Sequence, residues 1–306
     1  MSVVRNLKIV FTQPKRALRK IVFKLSPYIK NDKLYISMLH CLTHGTKMHW
    51  DNPQTYNEKI HWLKLWSKDK GFGKYVDKYE VREHIKNTIG EQYLIPLLGV
   101  WDRFEDIDFS TLPDEFVLKA AHGHGALIVK DKNNIPEDKI RQLKREYNSD
   151  LFLYGREYPY KGLKKRIIAE KLMTDDTVGE LRDYKFYCFN GEPKFFLICS
   201  DRFKGEVQEP LYDYYDMELN HLPMTSGGGR RKFDDAPPRI VNYDDMVRIS
   251  KELSKGFPFI RVDLYNINGK IYFGEMTFFD GTGLDIFEPK EWELKLGSYI
   301  SLPNND

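Results

Sequence analysis

The alternation of apolar and polar positions is clearest at residues 259–283, FIRVDLYNINGKIYFGEMTFFDGTG. IRVDLY and KIYFGEMTFF read as two strands joined by the turn signal Asn268-Gly269. Side chains alternate with period two, so Arg261, Asp263 and Tyr265 share one face of the first strand. Glu275 and Thr277 likewise share a face of the second. Which faces meet depends on register. A two-residue loop at Asn268-Gly269 would set Glu275 opposite Val262, away from Asp263. A three-residue loop, 267–269 with Gly269 as the bulge residue, sets Glu275 opposite Arg261. We take the three-residue loop, which points Arg261, Asp263, Glu275 and Thr277 into one space.

The rest of the chain supplies elements around this hairpin. Thr55 and Glu58 form a capping box ahead of a helix carrying Ile60, Leu63 and Trp66. A second helix is expected over residues 76–89, closed by Gly90, with Lys78 and Arg82 one turn apart on its apolar border. Strands follow at 116–121 and 126–130, separated by His122-Gly123-His124-Gly125. Next come a polar helix after Pro136 and a strand at 166–173. A second hairpin, DYKFYCFNGEPKFFLICSDR, turns at Asn190-Gly191, sets Asp183, Lys185 and Tyr187 on one face, and ends at Asp201-Arg202. Residues 204–240 read as a long glycine-rich, basic loop, either a lid or acceptor-site loop or a surface insertion. An amphipathic helix at 243–255 leads into the first hairpin.

Composition narrows the class. With 306 residues, 41% of them hydrophobic, the chain can bury a large core in two or three subdomains. A net charge of +3 is too small to indicate nucleic acid. Three cysteines, Cys41, Cys188 and Cys199, lack zinc or redox spacing and suit a reducing compartment. No apolar run reaches transmembrane length and no signal-peptide core is present, so a cytoplasmic protein is expected. Residues 1–33 nevertheless carry nine Lys and Arg against one acid, Asp32. That segment is either a basic amphipathic helix at the inner membrane leaflet or a solvated helix packed on the domain by its apolar face. Residues 34–50 contain His40, Cys41, His44 and His49; one cysteine and unevenly spaced histidines point to polar packing rather than a closed zinc site.

Candidate chemistry then falls into an order. Two carboxylates and a hydroxyl beside an arginine can hold Mg²⁺ and a phosphate chain. Gly123 and Gly125 allow backbone N–H groups close to phosphate oxygens, with Lys119 as a point charge at the strand end. The loop is neither a Walker A loop nor a dinucleotide fingerprint.

The motifs DKYEVREHI, FVLKAAHGHG, DYKFYCFNGEPKFF and RVDLYNINGKIYFGEMTFF, in this order, resemble the ATP-grasp superfamily, closest to its TupA-like branch, from about Trp50 to the end. That branch is named for teichuronopeptide biosynthesis and linked to bacterial surface polysaccharides. The resemblance implies an α+β fold whose two α+β subdomains clamp ATP, placed at 76–173 and 174–306, after a basic helical region at 1–75. It implies ATP and Mg²⁺ as cofactors. Lys78 and Lys119 would hold the α- and β-phosphates, with Gly123 and Gly125 in the closing loop. The adenine hinge would be Glu170, Lys171 and Met173, with Leu172 between them. Lys185, Arg202 and Arg261 would face the γ-phosphate and intermediate, and Asp263, Glu275 and Thr277 would ligate metal. Thr277 stands where the superfamily usually has asparagine.

The activity so implied is a carboxylate–amine ligase working through an acylphosphate, with a carbohydrate acceptor and an amine donor as partners and no nucleic acid. Positioning and charge stabilisation suffice for it, in keeping with the lack of a nucleophile triad. A phosphotransferase acting on a sugar hydroxyl uses the same cations and metal. A glycosyltransferase-like protein or a non-catalytic assembly protein are the further alternatives.

Overall fold

The computed structural model describes residues 14–176, 181–200, 210–226 and 239–304. Arg202, the glycine-rich part of the long loop at 227–238 and the first thirteen residues of the basic segment lie outside them.

Two antiparallel sheets organise the chain. The first has the order β1-β4-β2-β3, from β1 (Leu97–Trp101), β2 (Phe116–Ala120), β3 (Ala126–Val129) and β4 (Ile167–Lys171). Its small core, with Phe116, Leu118 and Ala169 fully buried, is covered by the helix Glu137–Asn148 through Leu143. The second has the order β7-β6-β5-β8-β9, from β5 (Asp183–Phe189), β6 (Glu192–Ser200), β7 (Leu211–Asp216), β8 (Phe259–Ile267) and β9 (Lys270–Thr277). One of its faces packs on the helix Tyr243–Ser254 through Met246, Ile249 and Leu253. The helices Tyr56–Trp66 and Glu291–Tyr299 join the same core. The capping box forms: Thr55 Oγ1 accepts from Glu58 N, and Thr55 N donates to Glu58 Oε2 at 3.0 Å.

Two expectations need correction. The helix expected at 76–89 is broken into Gly73–Val76 and Val81–Thr88. Asp77 ends the first piece, its carboxylate accepting from the N–H groups of Tyr79 and Glu80 at 2.9 and 3.0 Å. A short carboxylate competes well for backbone donors, and here it wins over helix continuation. Lys78 therefore sits in a turn, its N–H donating to the Ala121 carbonyl at 2.8 Å, rather than on a helix face beside Arg82.

The second correction concerns β8–β9. Ile267 pairs with Lys270, so the loop is Asn268-Gly269 alone, with φ of 51° and 76° as a type I′ turn requires. Arg261 lies opposite Thr277, not Glu275. The register slips by one at Gly274, where Asp263 pairs with Glu275 and Leu264 with Phe273. A bulge in the strand, rather than a longer loop, brings the four polar residues to one face.

Candidate active site

Two cross-strand rows build the site on the second sheet. Lys185, Asp263 and Glu275 lie side by side on β5, β8 and β9, and Tyr187, Arg261 and Thr277 form the next row. Directly paired side chains on one face of a sheet stand close enough to bond. Arg261 is the hub. Its Nε and Nη2 donate to the two Asp263 oxygens, each at 2.7 Å, and its Nη1 to Asp280. Nη2 also reaches Glu275 Oε1 at 3.1 Å and Thr277 Oγ1 at 3.2 Å. Thr277 donates to Glu275 at 2.8 Å, and Lys185 donates to Asp263 and lies 3.5 Å from Asp183. One nitrogen thus touches oxygens of Asp263, Glu275 and Thr277.

The electrostatics follow from burial and charge count. Asp263 is 2% exposed, and burial pushes its carboxyl up against the opposing pull of Arg261 and Lys185. Burial works the same way on Glu275, but Arg261, Lys185 and Lys78 outweigh it and hold that carboxylate well below its ordinary range. Burial would discharge Lys185 and Arg261, yet Asp263 with Asp183, and Asp263 with Asp280, keep both charged. Asp285, half-buried near Asp280, is pushed up to about 6 by desolvation and that neighbour. Four carboxylates, Asp183, Asp263, Glu275 and Asp280, face two cations in this cluster.

Across from it, the first sheet contributes Lys119 and Glu170 from one face of β2 and β4. Lys119 Nζ donates to Glu170 Oε2 at 2.6 Å and Arg82 Nη1 to Glu170 Oε1 at 3.3 Å. Lys78 Nζ donates to the Gly123 carbonyl, and Glu275 is the largest charge acting on it after burial itself. Lys78, Arg82, Lys119 and Glu170 line a narrow cleft, about 20 Å³, closed by Tyr265, Phe273 and Gly274 of the second sheet. The remaining expected residues lie around it. Lys171 is exposed, with its N–H on the Pro96 carbonyl, and half-buried Met173 follows the strand end. Gly123 returns its N–H to the Ala120 carbonyl. A Cβ on Gly125 would stand 2.1 Å from the Glu146 carboxylate, so that glycine abuts the helix Glu137–Asn148.

Asp280 joins the site without a sequence signal of its own. It is 4% exposed and also accepts from Tyr187 Oη at 2.8 Å. In FFDGTG an acid follows two buried aromatics, but period two ends at Thr277 and gives it no face.

The family model for TupA-like ATP-grasp proteins matches residues 58–301. The chain belongs to the TupA-like ATP-grasp family. Comparison with curated proteins gives no match. Among solved structures, D-alanine–D-alanine ligase from Bacillus anthracis complexed with ATP is 17% identical with a TM-score of 0.36, over 67% of this chain and 53% of that one. The ATP-grasp ligase PsnB, complexed with its minimal precursor, Mg and ADP, gives 12% and 0.36 over 74% and 60%. Phosphoribosylamine–glycine ligase from Thermotoga maritima gives 13% and 0.40 over 68% and 48%. The chain spans about half to three fifths of the length of these proteins, and likeness at this level carries nothing about substrate.

ATP and Mg²⁺ are the cofactors of an ATP-grasp protein, and the polar residues of the two sheets fit them. Asp263, Glu275 and Thr277 are hard oxygen donors already converging on one cationic nitrogen. Lys78, Lys119, Lys185 and Arg261 supply the positive charge that a triphosphate needs.

Proposed function

We propose that this TupA-like ATP-grasp protein is an ATP-dependent ligase that joins a carboxylate to an amine, with a sugar carboxylate of a surface polysaccharide or its lipid-linked precursor as acceptor. The observation that carries the reading is the convergence of Asp263, Glu275 and Thr277 on Arg261 Nη2, opposite the Lys119–Glu170 pair. Bound Mg²⁺ would neutralise charge on the phosphates as the terminal one is transferred. Arg261 and Lys185 would orient the γ-phosphate and draw charge from its oxygens as an acceptor carboxylate oxygen bonds to phosphorus and ADP departs with the electron pair. The same two cations would then hold the acylphosphate while amine nitrogen bonds to the acyl carbon, the C–O bond breaks, phosphate leaves and the nitrogen gives up a proton to solvent. Each step rests on placed charge.

A sugar hydroxyl in place of the carboxylate turns the same cleft into a kinase. ATP labelled in the γ-phosphate separates the two: a ligase releases all label as inorganic phosphate, stoichiometric with product. Label retained on the sugar would replace the ligase with a phosphotransferase. Absence of any nucleotide-dependent rise in unfolding temperature would remove both. At a hundred times its Kd, nucleotide stabilises a fold by about 2.7 kcal/mol, which is readily seen.

Contact with an anionic membrane surface is proposed for the basic helix Pro14–Leu25. Leu18, Ile21 and Leu25 are 45–51% exposed on one stripe of it, while Val22 is buried against the domain. Lys15, Lys20 and Lys24 share that short helix. Among the described residues no helix is long and apolar enough to cross a membrane. Full-length protein should co-sediment with vesicles containing phosphatidylglycerol, and Leu18→Ser with Ile21→Ser should abolish it. Equal sedimentation of the two would refute the contact.

A further inference from the structure

Away from the nucleotide cleft, three histidines meet. His40 and His44 lie four residues apart on one face of the helix Asp32–His44, and His61 comes from the helix Tyr56–Trp66. The rings pack at centroid distances of 4.7 Å (His40 to His44) and 5.4 Å (His40 to His61). One ring nitrogen from each lies within 4.8 Å of the others. We propose that these three imidazoles form a site for a divalent transition metal, zinc by preference, distinct from the Mg²⁺ ligands Asp263, Glu275 and Thr277.

Unmet bonding capacity is the main argument. His61 is 1% exposed and, although the Gly283 carbonyl already shared with His44 acts on it, neither of its ring nitrogens makes a well-aligned hydrogen bond among the described residues; His40, at 2%, leaves Nδ1 without one. A buried unpaired polar atom costs about 1–3 kcal/mol, and native interiors rarely tolerate several side by side. A cation between the rings would satisfy them together. Two ligands at i and i+4 on one helix and a third from a neighbouring element is a spacing that metal sites use, because both rings then leave the same helix face. Tetrahedral zinc with bonds of 2.0–2.1 Å wants its nitrogens about 3.3 Å apart, so modest ring rotations close the set.

The surroundings have the outer contacts that fix such ligands. His44 Nε2 lies 3.1 Å from the Gly283 carbonyl, which only accepts, so that nitrogen carries the proton and Nδ1 keeps a lone pair. His40 Nε2 meets Thr46 Oγ1 at 3.3 Å. Burial pushes all three rings below the ordinary imidazole value, His40 to about 4. The nearby Glu58 carboxylate acts on His40 and His44, while the Lys64 ammonium beside His61 is held by the Gly155 and Thr282 carbonyls and faces Glu157. His40 and His44 also border a cavity of about 860 Å³, which gives a metal its route and room for a fourth ligand. In the sequence, His40 and His44 stand with Cys41 and His49, a grouping that gives no metal spacing. The structure leaves Cys41 exposed, turns His49 to Glu58 at 2.6 Å, and brings in His61 from another helix.

Chelator-treated full-length protein titrated with Co²⁺ tests this directly. The expected result is one equivalent bound per chain with the visible bands of four-coordinate cobalt, bleached by stoichiometric Zn²⁺ and accompanied by a higher unfolding temperature. His44→Gln, the least buried of the three, should weaken binding at least 100-fold, whereas Asp263→Asn should leave the cobalt spectrum unchanged. No stoichiometric uptake by wild type, or bands that survive His44→Gln and vanish in Asp263→Asn, would overturn the proposal. The wild-type titration decides even if a histidine variant folds poorly.

Discussion

Asp263→Asn is expected to abolish the Mg²⁺-dependent part of nucleotide stabilisation and to lower turnover by a factor on the order of 10²–10³. Asp263 touches both Arg261 and Lys185, through two bonds of 2.7 Å to the first and a further one to the second. Asparagine keeps the shape but turns one oxygen into a donor aimed at a guanidinium or an ammonium. Two buried cations then lose a shared anion, and breaking such a pair costs about 3–5 kcal/mol. The variant should therefore also unfold earlier without ligand. Asp280→Asn is the useful control, because Asp280 anchors Arg261 and Tyr187 without being one of the converging metal donors. It should lose stability yet keep the Mg²⁺ dependence. Thermal unfolding with ADP, with and without Mg²⁺, reads both; a full Mg²⁺-dependent shift in Asp263→Asn would sink the metal assignment.

The largest effect on stability alone is expected from Gly297→Ala. A Cβ there would stand 2.1 Å from the Gln54 carbonyl oxygen, 2.8 Å from Thr55 C and 2.9 Å from Tyr56 N. All three are backbone atoms at the start of the capped helix Tyr56–Trp66, so no rotamer change relieves the overlap. The helix Glu291–Tyr299 must move away, taking Glu293 from its 2.8 Å bond to Asn57. Overpacking of this kind costs about 3 kcal/mol at the upper end of its range. Urea unfolding measures it, and a change under about 0.5 kcal/mol, the scale of an ordinary surface substitution, would show that the seam is loose. Nucleotide binding by the folded fraction should persist.

The hairpins, their turns and the capping box were legible in the sequence because each depends on residues close together in the chain. Asn190-Gly191 and Asn268-Gly269 both have positive φ, as their residue types foretold. The meeting of Arg261, Asp263, Glu275 and Thr277 was also foreseen, but for a wrong reason. The true cause was readable in KIYFGEMTFF. Its buried positions are Ile271 and Phe273 before Gly274, then Met276 and Phe278 after it, with Phe279 buried beyond the strand end, so the alternation changes phase at the glycine. That slip marks a bulge. The break at Asp77 was less accessible, since an acid early in a helical pattern is equally a good first-turn residue. His61 was beyond reach for another reason: helix packing sets its distance to His40, and nothing local reports it.

The cation–carboxylate pairs on the two sheets have a consequence for how ligand is admitted. Lys119 is neutralised by Glu170, Lys185 by Asp263, and Arg261 by Asp263, Glu275 and Asp280. On the proposed assignment, loading such a clamp would be ion exchange: carboxylates would trade guanidinium and ammonium for metal, while those cations would trade carboxylates for phosphate. Either half alone would leave charge unmatched beside the buried Asp263 carboxylate. Metal and nucleotide would then enter most readily together, each supplying part of the counter-charge that the other displaces.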